Sequence, residues 1–143
     1  MLFRKIRLAA LKEAPYAFGS IYETERDASD SHWRKAVADR TRFVAEVDGE
    51  VAGTASGGDA SSGEGAVMTS MWVDPRFRRQ GIGDLLVKTV IEWAKAGGYR
   101  ELYLWVTAVN HNAERLYQLN DFVRTGASQD IRGGLEFEMV RKL

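Results

Sequence analysis

One stretch constrains this chain more than any other: residues 66–107, where two apolar runs enclose an Arg/Gly turn and a helical segment. The first run, Ala66-Val67-Met68-Thr69-Ser70-Met71-Trp72-Val73, is rich in β-formers and stops at Asp74-Pro75, where proline cannot donate to a ladder. It predicts a buried strand. Next comes Arg76-Phe77-Arg78-Arg79-Gln80-Gly81-Ile82-Gly83-Asp84, whose glycines keep the backbone bare as it turns into a helix. From Asp84 onward Leu86, Val90, Trp93, Ala94 and Gly97 follow a helical stripe, and Gly97-Gly98 supplies a left-handed cap. Residues 102–107, Leu-Tyr-Leu-Trp-Val-Thr, form the second run. A helical crossover of this length implies parallel pairing of the two strands and a right-handed connection.

Such a unit is physically an anion site. The N-terminus of the Asp84 helix offers unpaired N–H groups and the positive end of a dipole, and the loop before it adds cationic side chains. A phosphate or pyrophosphate is its natural occupant. Each residue also has a plainer reading. Gly81 and Gly83 serve as turn glycines at any strand-to-helix corner, and Arg78 and Arg79 as a solvated pair. Asp84 is explained by the dipole alone, so only its backbone counts as a ligand group.

Arg78-Arg79-Gln80-Gly81-Ile82-Gly83 resembles the R/Q-x-x-G-x-G/A signature of the GCN5-related N-acetyltransferases, the GNAT family. Asn110-x-x-Ala113-x-x-Leu116-Tyr117-x-x-x-x-Phe122 resembles that family's second signature, in the same order and at a similar spacing. The resemblance runs from about residue 8 to the end. It implies an α/β GNAT fold, a mixed central β-sheet flanked by helices, in a single domain over residues 1–143. It also implies transfer of the acetyl group of acetyl-CoA, without a metal, by direct attack of a primary amine of a small molecule or peptide.

The resemblance further assigns roles. Arg78, Arg79, Gln80, Gly81, Ile82, Gly83 and the Asp84 backbone would hold the pyrophosphate. The backbone of Met71, Trp72 and Val73 would hydrogen-bond the pantetheine arm, the N–H near Val73 also facing the thioester carbonyl. Asn110 would contact the cofactor or order water, and Tyr117 would face the sulfur as proton donor, although by pattern alone one is a helix cap and the other packed surface. Transfer from a phenol of pKa about 10 to a thiolate of about 8.5 is uphill by roughly 2 kcal/mol, so hydrogen-bond donation is the expected role. No base is evident. Where some family members carry a glutamate this chain has Trp105, which leaves Glu64, His111 and Glu114, or a water chain. The alternative is an acyl-CoA-binding regulatory module without turnover, kept open because the family's usual Gly-Phe is Asp121-Phe122 here.

Charge and composition narrow the partners. Twenty Lys and Arg balance twenty Asp and Glu, so no basic field marks a nucleic-acid binder. There is no cysteine, which excludes disulfides, thiolate metal sites and a cysteine nucleophile. Two histidines without flanking carboxylates make no zinc site. No run is long enough to span a membrane and residues 1–7 lack the core of a signal peptide, so a cytoplasmic protein with no membrane partner is expected.

The remaining segments fill out the sheet. Residues 2–13 are expected as a helix bounded by Pro15, residues 14–20 as a loop beside the acceptor site, and a second helix passes through Trp33 and Val37. The family's first strand has no counterpart, so the sheet is expected to lack it, and a homodimer partner could cover the edge. Asp48-Gly49 predicts a hairpin between residues 42–47 and 50–55, followed by a flexible loop over residues 57–65. Residues 110–120 are expected as a helix, with last strands over 122–125 and 135–140 and a polar loop over 126–134.

Overall fold

In a computed structural model the described residues are 41–60, 65–131 and 134–143. The expected helices before residue 41, the missing first strand and Glu64 lie outside them. The described chain runs β1 (Thr41–Val47), β2 (Glu50–Asp59), β3 (Ala66–Val73), a 3₁₀ turn (Pro75–Phe77), α1 (Ile82–Ala96), β4 (Glu101–Thr107), α2 (His111–Leu119), β5 (Val123–Ile131) and β6 (Gly134–Lys142). The six strands form one mixed sheet in the order β1-β2-β3-β4-β6-β5. Only β3 and β4 pair in parallel.

The hairpin forms as its Asp-Gly signal predicts. Asp48 (φ 51°) and Gly49 (φ 80°) both turn left-handed, which matches the twist of the strands they join. The expected loop over residues 57–65 is corrected: β2 continues through Gly57 and Gly58 to Asp59, paired with Met68, Val67 and Ala66. Those glycines read as flexible, but a Cβ on Gly57 would lie 2.4 Å from the Trp93 ring, so Gly57 makes room for an indole packed on the strand. Of the loop expected over residues 126–134, residues 126–131 and 134 are strand: β5 runs to Ile131 against β6 with a register shift between Arg124 and Ser128 at Gly126 (φ 96°).

α1 begins two residues earlier than the Asp84 stripe implied, and its Leu86, Val87, Val90, Ile91 and Ala94 face the sheet. They pack with Ala52, Ala55, Met68, Leu102, Leu104, Val106 and Met139 in a single core. Val87 and Val90 are fully buried, which stabilises the fold by about 1.5–3 kcal/mol each. The helix ends as the glycine pair predicts, with Gly98 at φ 79°. α2 closes the far side of this layer, its Tyr117 meeting Phe122 edge to face at 6.0 Å. Asp121 takes the left-handed turn after α2 (φ 69°), a conformation that aspartate tolerates and glycine adopts freely. The departure from Gly-Phe therefore alters a turn whose side chain is 84% exposed.

Gly57→Ala should displace Trp93 and cost about 1–3 kcal/mol of stability in urea unfolding.

Candidate active site

β3 and β4 share only two register pairs, Ala66 with Leu102 and Val67 with Tyr103. Beyond them the strands part toward their C-terminal ends. The cause lies in β3: Thr54 faces Trp72 but Ser56 faces Thr69, so Ser70 and Met71 together oppose Ala55 in a bulge, with Ser70 at φ 56°. A bulge bends its strand and sharpens its twist. At the strand's end Asp74 N–H donates to the Ala52 carbonyl at 2.7 Å. Val73, opposite Gly53, is then a non-bonded ladder position, and its N–H points away from β2 into the opening.

A groove of about 670 Å³ occupies this opening. Met71, Trp72 and Val73 line one wall, Trp105, Val106 and Thr107 the other, with Arg78, Arg79, Gly81, Ile82, Gly83 and Asp84 at one end. Asn110, Asn112, Ala113, Leu116 and Tyr117 close it from α2. The structure thus brings together Tyr117 and every expected cofactor-binding residue except Gln80, which is exposed and off the groove. Phe77, Thr107, Asn112, Ala113 and Leu116 were not singled out by the site reading. Helical spacing from Tyr117 could have found Ala113, whereas the strand gap that admits Thr107 depends on the bulge.

The groove's end carries the N-terminus of α1. Gly81, left-handed at φ 83°, is the N-cap of α1 and makes no side-chain cap. The first helical hydrogen bond runs from Leu85 N–H to the Gly81 carbonyl at 3.0 Å, so the N–H groups of Ile82, Gly83 and Asp84 face out of the helix end. The Asp84 carboxylate is turned aside. It accepts from Lys88 and, at 2.9 Å, from Asn120 Nδ2, and these bonds hold it below the usual carboxylate range. Asn120 also donates to the Leu116 carbonyl at 3.1 Å, tying the first turn of α1 to the last turn of α2. The preceding loop is braced: Asp74 Oδ1 accepts from Arg76 N–H at 2.9 Å, and Arg78 Nε donates to the Val73 carbonyl at 3.0 Å.

Tyr117 is 7% exposed, and desolvation pushes its phenol far above the ordinary tyrosine value. A phenol raised in this way is still further from surrendering its proton to a thiolate. Asn110 Oδ1 caps α2, accepting from Ala113 N–H at 3.3 Å. The expectation that Glu114 could act as a base is corrected. Its oxygens accept from Arg124 Nε at 2.5 Å and Nη2 at 2.8 Å, and this pairing holds its pKa below the usual range, so it is an ionised strut between α2 and β5. Arg124 in turn stacks on Phe137 at 4.0 Å. His111 is exposed at the start of α2, outside the groove lining. No group of three or more metal-ligating side chains is assembled among the described residues.

A mixed sheet opened between its two parallel strands, with an uncapped helix N-terminus at the mouth, defines an acyl-CoA-type site. The chain belongs to the Acetyltransferase (GNAT) family, whose profile matches residues 7–122. Human N-acetylaspartate synthetase is 31% identical over 102 residues, covering 71% of this chain and 34% of that protein. Human N-acetyltransferase 8 is 41% identical over 58 residues, covering 41% of this chain and 26% of that protein. The chain thus spans about a third or less of the length of these relatives. Among solved structures, ribosomal-protein-alanine N-acetyltransferase from Brucella melitensis superposes with a TM-score of 0.77 at 22% identity, covering 99% of this chain and 95% of that one. A putative acetyltransferase from Salmonella typhimurium, solved with acetyl-CoA, gives 0.76 at 22% identity, covering 99% and 87%. These likenesses show the fold. No described helix is long and apolar enough to cross a membrane.

Two outcomes follow from the geometry. Gly81→Ala forces a Cβ into a left-handed position and should cost about 1–2 kcal/mol. Gly83→Ala should cost less in the same urea series, because its Cβ meets only the tips of Leu116 (3.2 Å) and Met71 (3.4 Å). In acid, a carboxylate with a depressed folded pKa contributes stability that is present above its unfolded value and lost as pH falls through the folded one. Wild-type stability should accordingly decline below about pH 4.3, and Glu114→Gln should flatten that decline in denaturation curves.

Proposed function

We propose that this chain is an acetyl-CoA-dependent N-acetyltransferase that moves an acetyl group to a primary amine by direct attack. The observation that carries this reading is the opening between β3 and β4, with the Val73 N–H turned into it and the N-terminus of α1 at its end. Acetyl-CoA bound there supplies an activated acetyl thioester. The N–H groups of Ile82, Gly83 and Asp84, with the side chains of Arg78 and Arg79, would hold the pyrophosphate, and the backbone of Met71 to Val73 would pair with the pantetheine amides as an added strand.

Val73 N–H would hydrogen-bond the carbonyl oxygen and stabilise the charge that gathers on it as the amine attacks. Tyr117 would donate a hydrogen bond to the departing sulfur. An amine of pKa near 10 arrives protonated at neutral pH and must lose a proton before it attacks. Glu114 is occupied, so the proton leaves through water in the groove or through a group not yet assigned. The proposed setting is the cytoplasm, as a single domain with a homodimer as its state. The rival reading of a silent binding module rested on Asp121, and that residue lies in an exposed turn away from the groove.

Thiol release from acetyl-CoA, read with a thiol-reactive dye across a panel of amines, tests the proposal, and a chain without cysteine adds no background. Release above the enzyme-free blank is expected with at least one amine class. Tyr117→Phe should lower kcat by about ten- to a hundredfold while leaving acetyl-CoA affinity intact. Confirmed cofactor binding without release from any amine would favour the binding module instead.

A further inference from the structure

Along β4 the core residues Leu102, Leu104 and Val106 face α1, so Tyr103, Trp105 and Thr107 project from the other face of the sheet. There the antiparallel register sets Thr107 opposite Glu136 and Trp105 opposite Glu138. Directly opposed residues share a face with their Cβ atoms about 5 Å apart. Thr107 lines the groove, is 4% exposed, and its buried Oγ1 has no hydrogen-bond partner. Glu136 is 6% exposed and accepts one hydrogen bond, from Gln129 Nε2 at 2.8 Å. Glu138 accepts from Thr125 Oγ1 at 2.8 Å. Among the described residues neither carboxylate forms an ion pair.

A buried carboxylate without a cation is costly, and so is a buried hydroxyl without a partner. Thr107 lines the groove and Glu136 stands opposite it on the next strand, so one cationic ligand group reaching past Thr107 would meet both needs. We infer that Glu136, with Glu138 beside it and the Thr107 hydroxyl accepting, binds a positive charge carried by the acceptor, which is a short diamine. This inference rests on the acetyl-transfer reading of the groove. The nitrogen that attacks must be neutral, and an adjacent carboxylate favours the ammonium form, so the charge held at Glu136 belongs to the second nitrogen. Adjacent strands lie about 4.8 Å apart. Glu136 therefore sits one strand beyond the opening, at the reach of a few methylenes, with Thr107 between and Trp105 lining the same wall. The same carboxylates repel an acceptor with its own carboxylates near the amine. Acceptor choice here would then differ from the aspartate that the name of the relative N-acetylaspartate synthetase indicates.

The test is calorimetric titration of 1,4-diaminobutane, n-butylamine and aspartate into the CoA-saturated protein, repeated with Glu136→Gln and Thr107→Val. Glutamine keeps the shape and the bond to Gln129 while removing the charge. Wild type is expected to bind the diamine about tenfold or more tightly than butylamine, the effect of one charge-assisted contact. Glu136→Gln should erase that preference and raise the KM for the diamine in thiol release, with acetyl-CoA affinity unchanged and thermal unfolding at or above the wild-type temperature. Thr107→Val should weaken diamine binding by a smaller factor. Equal binding of the two amines, a preference for aspartate, or a Glu136→Gln protein that keeps the wild-type preference would overturn the inference. Absence of thiol release from every amine would instead count against acetyl transfer, and the titration would still decide the role of Glu136.

Discussion

Between Val67 and Val73 the parallel ladder to β4 gives up its hydrogen bonds, and the rest of the site depends on that surrender. Backbone groups left unpaired inside a protein must find other partners. Here they face a groove whose far wall is another strand. The bulge at Ser70 and Met71 opens the gap, and a left-handed serine is tolerated because β2 still holds β3 on its other side through Trp72, Val73 and Asp74. An extended ligand with amides of its own is the partner such a wall accepts.

Two links keep the groove in shape. The Asp84–Asn120 hydrogen bond joins the start of α1 to the end of α2, and Leu116 packs close over Gly83 at the same junction. The Glu114–Arg124 pair, backed by Phe137, joins α2 to the last hairpin. The start of α1, the helix bearing Tyr117 and the hairpin bearing Glu136 are thus mechanically connected. A charge pair with one member half exposed contributes modestly to stability, and its value here lies in orientation.

Much of this was legible from residue pattern. The two apolar runs, the glycine-bounded helix between them and the Asp48-Gly49 hairpin signal appear where local chemistry placed them. The second helix forms between its own asparagines, with Asn110 as its N-terminal cap. Illegible features had weak or misleading local signals. Gly57 and Gly58 have loop composition but pair with Met68 and Val67 as strand, and Trp93, thirty-six residues after Gly57, fills the space above Gly57. Nothing in Ser70 announces a left-handed bulge. Glu114 looked like one more surface carboxylate until β5 brought Arg124 against it.

By itself the sequence determined the β-turn-α-β unit, the glycine-led helix terminus and the absence of cysteine chemistry, because these follow from residues within a few positions of one another and from composition. Only the tertiary structure decided that β3 and β4 part after two pairs, that Glu114 is held by Arg124, and that Thr107 and Glu136 share a face beside the groove. Those outcomes rest on register and bulges between strands distant in the chain. A shift of one residue in either register would carry every side chain concerned to the opposite face.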